Sequence, residues 1–204
     1  MTAPNRARAE VESPVELHVV AESNLRFIRD TMERSAVFTS LPGRGAIAIG
    51  ATALLASWIA ATQDSFGAWL GVWMIEAAVA VAIAAAATAH KLRAAEASAS
   101  LRPIKNFALS FAPPFLAGAL LTIACWRAEA VWAFPGVWLL LYGCAIATGG
   151  AFSEPIVPAM GCCFIVLGTV ALFGPTAWNN ALMAAGFGGL HILFGAIITR
   201  KYGG

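Results

Sequence analysis

Residues 66–93 read FGAWLGVWMIEAAVAVAIAAAATAHKLR, an apolar run of more than twenty residues that carries one acid, Glu76, and is closed by Lys91 and Arg93. A bilayer core about 30 Å thick needs roughly 20 apolar residues in a helix, so this run is long enough to cross it. Working outward, five more stretches have the same character, and the expected spans are 45–62, 67–89, 107–126, 131–149, 155–174 and 178–198. The chain as a whole is 59% hydrophobic and 12% charged, against about 45–50% apolar and 25% charged in soluble domains. The expected fold class is all-α: a polytopic membrane helix bundle of about six transmembrane helices, arranged as three hairpins. Residues 1–44 are expected to form a cytoplasmic segment with an amphipathic helix, and residues 45–204 the bundle. Short connections leave no room for a second globular domain. The chain opens on polar and charged residues rather than a short basic region followed by an apolar core, so no cleavable signal peptide is expected.

Charge orients the spans. Arg6, Arg8, Arg26, Arg29, Arg34, Arg44, Lys91, Arg93, Arg102, Lys105, Arg200 and Lys201 all fall on one set of alternate connections, and only Arg127 falls on the other. By the positive-inside rule both termini are cytoplasmic and the protein is multi-pass in a plasma membrane, with the lipid bilayer as its first partner. Tryptophan is distributed in the opposite sense. Trp58, Trp69, Trp126, Trp132 and Trp178 sit at the expected outer ends, and Trp73 and Trp138 lie about a turn deeper. The plain reading is that Arg and Lys anchor the inner side and Trp the outer. The sharper one is an outer aromatic pocket for a lipid, quinone or drug-like compound, with Trp69, Trp73, Trp132 and Trp138 as its candidates.

Ahead of the first span, Ser13-Pro14-Val15-Glu16 has the form of a capping box with Pro at the first helical position. Leu17, Ala21, Leu25, Ile28 and Met32 then recur at helical steps, while Glu22, Arg26, Arg29, Asp30 and Glu33 occupy other faces. This predicts an amphipathic helix of roughly 20 residues with i,i+4 ion pairs. Its mixed charges suit docking on the bundle, on a second copy (a homo-oligomer) or on a cytoplasmic protein better than binding to anionic lipid. Leu41-Pro42-Gly43-Arg44-Gly45 breaks the helix before the first span.

An internal repeat is suggested by the second members of the hairpins. They read Trp69-Leu70-Gly71-Val72-Trp73, Phe134-Pro135-Gly136-Val137-Trp138 and, more loosely, Gly186-Phe187-Gly188-Gly189-Leu190. The first members each begin near a Pro followed by Gly, at Pro42 and Gly45, Pro114 and Gly118, and Pro158 and Gly161. Three hairpins of one orientation would be related by an axis along the membrane normal. The glycines from 143 to 150 and from 186 to 195, and the alanine run of the second span, are expected to bring helices close. Pro113-Pro114 reads as a helix start or a re-entrant kink, and Pro135 and Pro158 as bends or missing donors that neighbours must compensate.

Ionisable and polar groups inside the hydrocarbon are few. Counting about 1.5 Å per residue from the outer ends puts Glu76 roughly 14 Å deep, Tyr142 near 17 Å and His191 roughly 20 Å. These three are the ligand- or proton-binding candidates, a carboxyl, a phenol and an imidazole in one layer. The alternative is a neutral Glu76 bonded to a backbone carbonyl or to Tyr142 as a tie between helices. Asn179 and Asn180 are expected to cap or contact loops, and Asp64 and Ser65 to form a turn and a cap.

Catalytic signatures are missing. Cys125, Cys144, Cys162 and Cys163 show no C-x-x-C and no paired His, which suits small-residue packing rather than metal or redox work. There is no phosphate loop and no H-E-x-x-H, and His18, His90 and His191 are not spaced for a haem. No catalytic residue, metal or cofactor is therefore expected. A net charge of +2, with its basic residues explained by topology, gives no support to nucleic-acid binding.

Leu25-Arg26-Phe27-Ile28-Arg29-Asp30-Thr31-Met32-Glu33-Arg34, Gly149-Gly150-Ala151-Phe152-Ser153, Val157-Pro158-Ala159-Met160-Gly161 and Gly186-Phe187-Gly188-Gly189-Leu190-His191-Ile192-Leu193-Phe194-Gly195 resemble an uncharacterised bacterial family of six-span integral membrane proteins. The resemblance covers the chain from about residue 16 onward. It implies a bacterial inner membrane, a genomic setting beside a winged-helix regulator and hence a stress or drug response, and adds some weight to His191. It brings no activity. Two function classes follow: a non-catalytic sensing or scaffolding bundle with a cytoplasmic docking helix, or a small permease or lipophilic-ligand-binding protein that uses the Glu76, Tyr142 and His191 layer.

Overall fold

The computed structural model describes residues 19–29, 42–94, 102–150 and 155–202. Every element among them is helical. The chain divides into two compact units, Met1–Glu33 and Arg34–Gly204.

In the first unit residues 19–29 form helix α1, where Arg26 pairs with Glu22 at 2.7 Å across one turn. Val20, Leu25 and Ile28 are exposed. The capping box at Ser13-Pro14-Val15-Glu16, together with Leu17, Asp30, Met32, Glu33 and Leu41, lies outside the described residues.

Among its described residues the second unit holds six helices long and apolar enough to cross a membrane. They are α2 (Gly43–Ala61), α3 (Phe66–Ala94), α4 (Arg102–Arg127), α5 (Phe134–Gly149, entered through the 3₁₀ turn Val131–Ala133), α6 (Ile156–Phe173) and a composite last span. That span starts as a 3₁₀ turn, Thr176–Trp178, and continues as α7 (Asn179–Met183), a π segment Ala184–Leu190 and α8 (His191–Tyr202). The observed ends fall close to the expected spans because hydropathy and helix length are both local properties. Ser65 caps α3 as expected, its hydroxyl accepting the backbone N–H of Ala68 at 3.2 Å.

The prolines divide. Pro135 and Pro158 sit in the first turns of α5 and α6, where a missing N–H costs nothing. Pro113-Pro114 instead lie inside α4, which begins eleven residues earlier at Arg102, so the expected helix start is corrected to an interior site.

Glycine sets the pairing. A Cβ on Gly143 would lie 2.8 Å from the Gly161 carbonyl oxygen, and one on Gly168 would lie 2.9 Å from that of Gly136. So α5 and α6 run antiparallel with Gly136 opposite Gly168 and Gly143 opposite Gly161, their backbones in contact. The first and last spans repeat the device. Gly50 faces Gly188 and Gly43 faces Gly195, a Cβ on Gly50 falling 2.6 Å from the Gly188 carbonyl oxygen. On all four helices the two glycines are seven residues apart, two helical turns, which keeps them on one face. In lipid such approach replaces the hydrophobic drive with close van der Waals contact.

Most of the interior is built from these four spans, with Leu139, Phe164 and Met183 fully enclosed, and α3 adds the buried Trp73. Helix α3 pairs with α2, and α4 with α5. The alanine run of α3 brings helices close in part: Ala87 faces Gly45 of α2, where an added Cβ would lie 2.9 Å from it, while most of the run is exposed. Cys144 and Cys162 are exposed as well, so they do not serve internal packing.

Candidate functional site

The last span departs from α geometry just before the buried His191. Its π segment, Ala184–Leu190, ends directly at His191. Such segments are rare and cluster at functional sites. With the three hairpin strings laid side by side, His191 stands where Met74 stands in α3 and Leu139 in α5. A core position has been given to an imidazole, and His191 is 4% exposed.

Its partner is Tyr142 of α5, whose hydroxyl lies 2.7 Å from His191 Nε2. Rings enclose the pair. Phe164 stands edge-on to Tyr142 at 4.8 Å, Phe187 lies 5.2 Å from Tyr142 and stacks on His191 at 6.4 Å, and Phe111 of α4 is 6.0 Å from Tyr142. Nδ1 of His191 is buried with no aligned hydrogen-bond partner; the carbonyls of Gly186 and Phe187 are its polar neighbours. Those carbonyls favour the tautomer with the proton on Nδ1, in which Tyr142 donates to Nε2; this tautomer is assigned from the network. Tyr142 and His191 thus share one hydrogen bond within an apolar layer.

Glu76 does not join it. The carboxyl faces α2, where the Thr52 hydroxyl donates to Oε1 at 2.9 Å, and no hydrogen bond links it to Tyr142 or His191. The physical reason is rotational. Pairing of α3 with α2 turns the Glu76 face towards α2, although its depth matches that of the other two. The expected layer of three is therefore corrected to a pair and a separate carboxyl, and the alternative Glu76–Tyr142 tie is not formed either. Thr52 also reaches the Ile49 carbonyl at 2.9 Å, so its hydroxyl sits between two acceptors.

From the pair a column of rings runs towards the tryptophan-rich end. Phe187 meets Trp73 at 6.1 Å, Trp73 meets Trp69 at 6.2 Å, and Trp69 stacks on Trp138 at 6.0 Å. Phe66 then touches Trp69, Trp126 and Phe134. Trp69, Trp73 and Trp138 of the expected aromatic cluster are thus together. Trp132 is the exception: half exposed, it makes no ring contact among the described residues and offers only its backbone carbonyl, to Asn179 at 2.8 Å. Trp138 donates to Thr122 of α4 at 2.9 Å, and the buried Trp73 Nε1 has no hydrogen-bond partner.

Asn180, expected to cap, ties three elements instead. Its amide donates to the Ser57 carbonyl at 3.0 Å, and its side-chain oxygen accepts Trp69 Nε1–H at 3.2 Å. Asn180, Ser57 and Thr52 were legible only as polar residues in or beside spans, since their use depends on which helix lies opposite. Among the described residues no group of three or more His, Cys, Asp or Glu could hold a metal ion.

Compared with protein-family models, with curated proteins and with solved structures, the chain finds no match.

Proposed function

We propose that this membrane protein binds a neutral lipophilic ligand in the ring-lined layer around Tyr142 and His191, as a non-catalytic receptor or carrier. The observation that carries the reading is the 2.7 Å Tyr142–His191 hydrogen bond enclosed by Phe111, Phe164 and Phe187. A core position that is Leu139 in one hairpin needs no imidazole for packing, and apolar surroundings with a few placed polar groups are the make-up of small-molecule sites. Absence of charge at the pair suits a neutral ligand; Glu76, held apart by Thr52, serves as a tie between α2 and α3.

The test is titration of the protein in lipid nanodiscs with naphthoquinone, a lipophilic amine and a hydrocarbon of the same ring size, read by tryptophan fluorescence. Saturable quenching by the quinone or the hydrocarbon, weakened at least tenfold in both His191→Leu and Tyr142→Phe, is expected, and saturable quenching by the amine alone would overturn a neutral ligand. Non-saturating quenching, equal in the wild type and both variants, would mean mere partition into lipid and would sink the reading. Flux of the binding compound into proteoliposomes then separates carrier from receptor.

The scaffolding reading retains one specific observation, the exposed Val20, Leu25 and Ile28 of α1. It is supported if Leu25→Asp with Ile28→Asp abolishes a cellular phenotype that His191→Leu leaves intact.

A further inference from the structure

The indole N–H groups of the ring column fare differently. Trp69, half-buried, donates to the Asn180 side-chain oxygen at 3.2 Å, and Trp138, also half-buried, donates to the Thr122 hydroxyl at 2.9 Å. Trp73 is enclosed, at 3% exposure, and its Nε1–H donates to nothing among the described residues. Glu76, one turn further along α3, takes its hydrogen bond from Thr52 instead. A buried indole normally finds a partner, and a buried donor without one needs an explanation. Phenylalanine would fill an apolar site with a ring and bring no orphan donor, so packing alone does not account for an indole at this position.

Phe187 joins this donor to the Tyr142 layer, its ring lying 6.1 Å from that of Trp73 and 5.2 Å from that of Tyr142. In the assigned tautomer the Tyr142 proton is committed to His191 Nε2, and the Trp73 N–H has no such commitment. The surroundings can also part. Helix α3 packs along α2, whereas towards α5 and the last span it presents rings. Phe111, Tyr142 and Phe187 are half-buried rather than sealed, so the layer is within reach of a compound dissolved in lipid.

We infer that Trp73 is the hydrogen-bond anchor of this site, and that it selects flat neutral carbonyl compounds, quinones or aromatic ketones, whose oxygen accepts the indole N–H. The assignment rests on the ligand layer proposed around Tyr142 and His191. An indole N–H only donates, so the ligand must bring the acceptor. The neighbouring rings make a charged acceptor costly to bury and give a flat conjugated frame surfaces to stack on. A hydrocarbon of the same outline would meet the same rings and leave the donor unpaired. Unpaired polar groups of this kind are what let a site reject a close analogue.

The experiment compares tritiated 2,3-dimethyl-1,4-naphthoquinone with tritiated 2,3-dimethylnaphthalene on the full-length protein in lipid nanodiscs, by scintillation proximity, which does not depend on tryptophan emission. The methyl groups keep the exposed Cys144 and Cys162 from adding to the quinone ring. Wild type is expected to hold the quinone at least tenfold more tightly than the hydrocarbon. Trp73→Phe should weaken the quinone at least tenfold and leave the hydrocarbon within twofold, which also shows that the site is intact. On the wild type alone, infrared spectra should show a carbonyl stretch of the bound quinone lowered from its value in lipid. Saturable binding of both compounds with equal affinity would overturn the inference and leave the Tyr142–His191 layer standing as a ligand site. An unshifted carbonyl stretch, or a quinone affinity indifferent to Trp73→Phe, would overturn it in the same way. Saturable binding of neither compound would remove the layer as a site and the anchor with it.

Discussion

Helices α5 and α6 meet backbone to backbone, whereas α3 and α5 meet only through rings. At the first contact a Cβ on Gly161 would lie 2.6 Å from the Ala147 nitrogen; at the second, Trp69 and Trp138 stack with centroids 6.0 Å apart. A glycine seam holds two helices in one register and at one distance, because any added carbon strikes main chain that cannot turn away. A ring seam holds them through side chains, which can rotate or part while each helix stays whole. The Tyr142–His191 pair lies where the two kinds meet. Phe164, against it, belongs to the glycine-paired α6, and Phe111 to α4, which meets α5 by side chains. A ligand entering from the ring side would disturb no backbone contact.

That contrast can be broken from either side. The largest effect is expected from Gly161→Val, which drives a branched side chain into Ala147 and Gly143. Overpacking of this kind costs about 1–3 kcal/mol, and the upper end is expected here because the obstacle is main chain. Reversible unfolding in mixed detergent–SDS micelles measures it; a loss below about 0.5 kcal/mol would mean that the seam yields.

An intermediate effect is expected at the junction. Tyr142→Phe keeps the ring and its packing but leaves His191 Nε2 buried without its donor. Intramembrane hydrogen bonds average about 0.6 kcal/mol and reach about 1.7, and an orphaned buried group pushes towards the upper figure. A double-mutant cycle with His191→Leu should return a coupling of about 1–1.7 kcal/mol, and additivity would show that the bond contributes nothing. The smallest effect is expected where α4 meets α5 through side chains, beside the ring seam. Thr122→Val removes the acceptor of Trp138 Nε1–H and should cost about 0.6 kcal/mol, with a changed tryptophan emission maximum as the more sensitive readout.

Much of the fold was legible in the residues. Expected spans 45–62 and 155–174 correspond to Gly43–Ala61 and Ile156–Phe173, because a run of apolar side chains identifies a membrane helix without reference to its neighbours. The aromatic cluster was three-quarters legible, since Trp69, Trp73 and Trp138 share positions near one end; Trp132 was misjudged because its location in a 3₁₀ turn cannot be read from hydropathy. The paired glycines were in plain view, seven apart on four helices, yet their meaning depends on which span lies opposite which. The polar layer failed in an instructive way. Depth arithmetic brought Glu76 level with Tyr142 and His191, and the carboxyl nevertheless turned to Thr52.

Sequence alone determined the six spans and the position of each polar group along its helix, because position along a helix axis is a count of residues from its end. Only the tertiary structure decided that Tyr142 bonds His191 while Glu76 faces Thr52, and that Gly136 and Gly188 are sealed while Gly71 stands open. The rotation of a helix about its axis is set by the neighbour it packs against, and the chain does not carry that choice in any one segment.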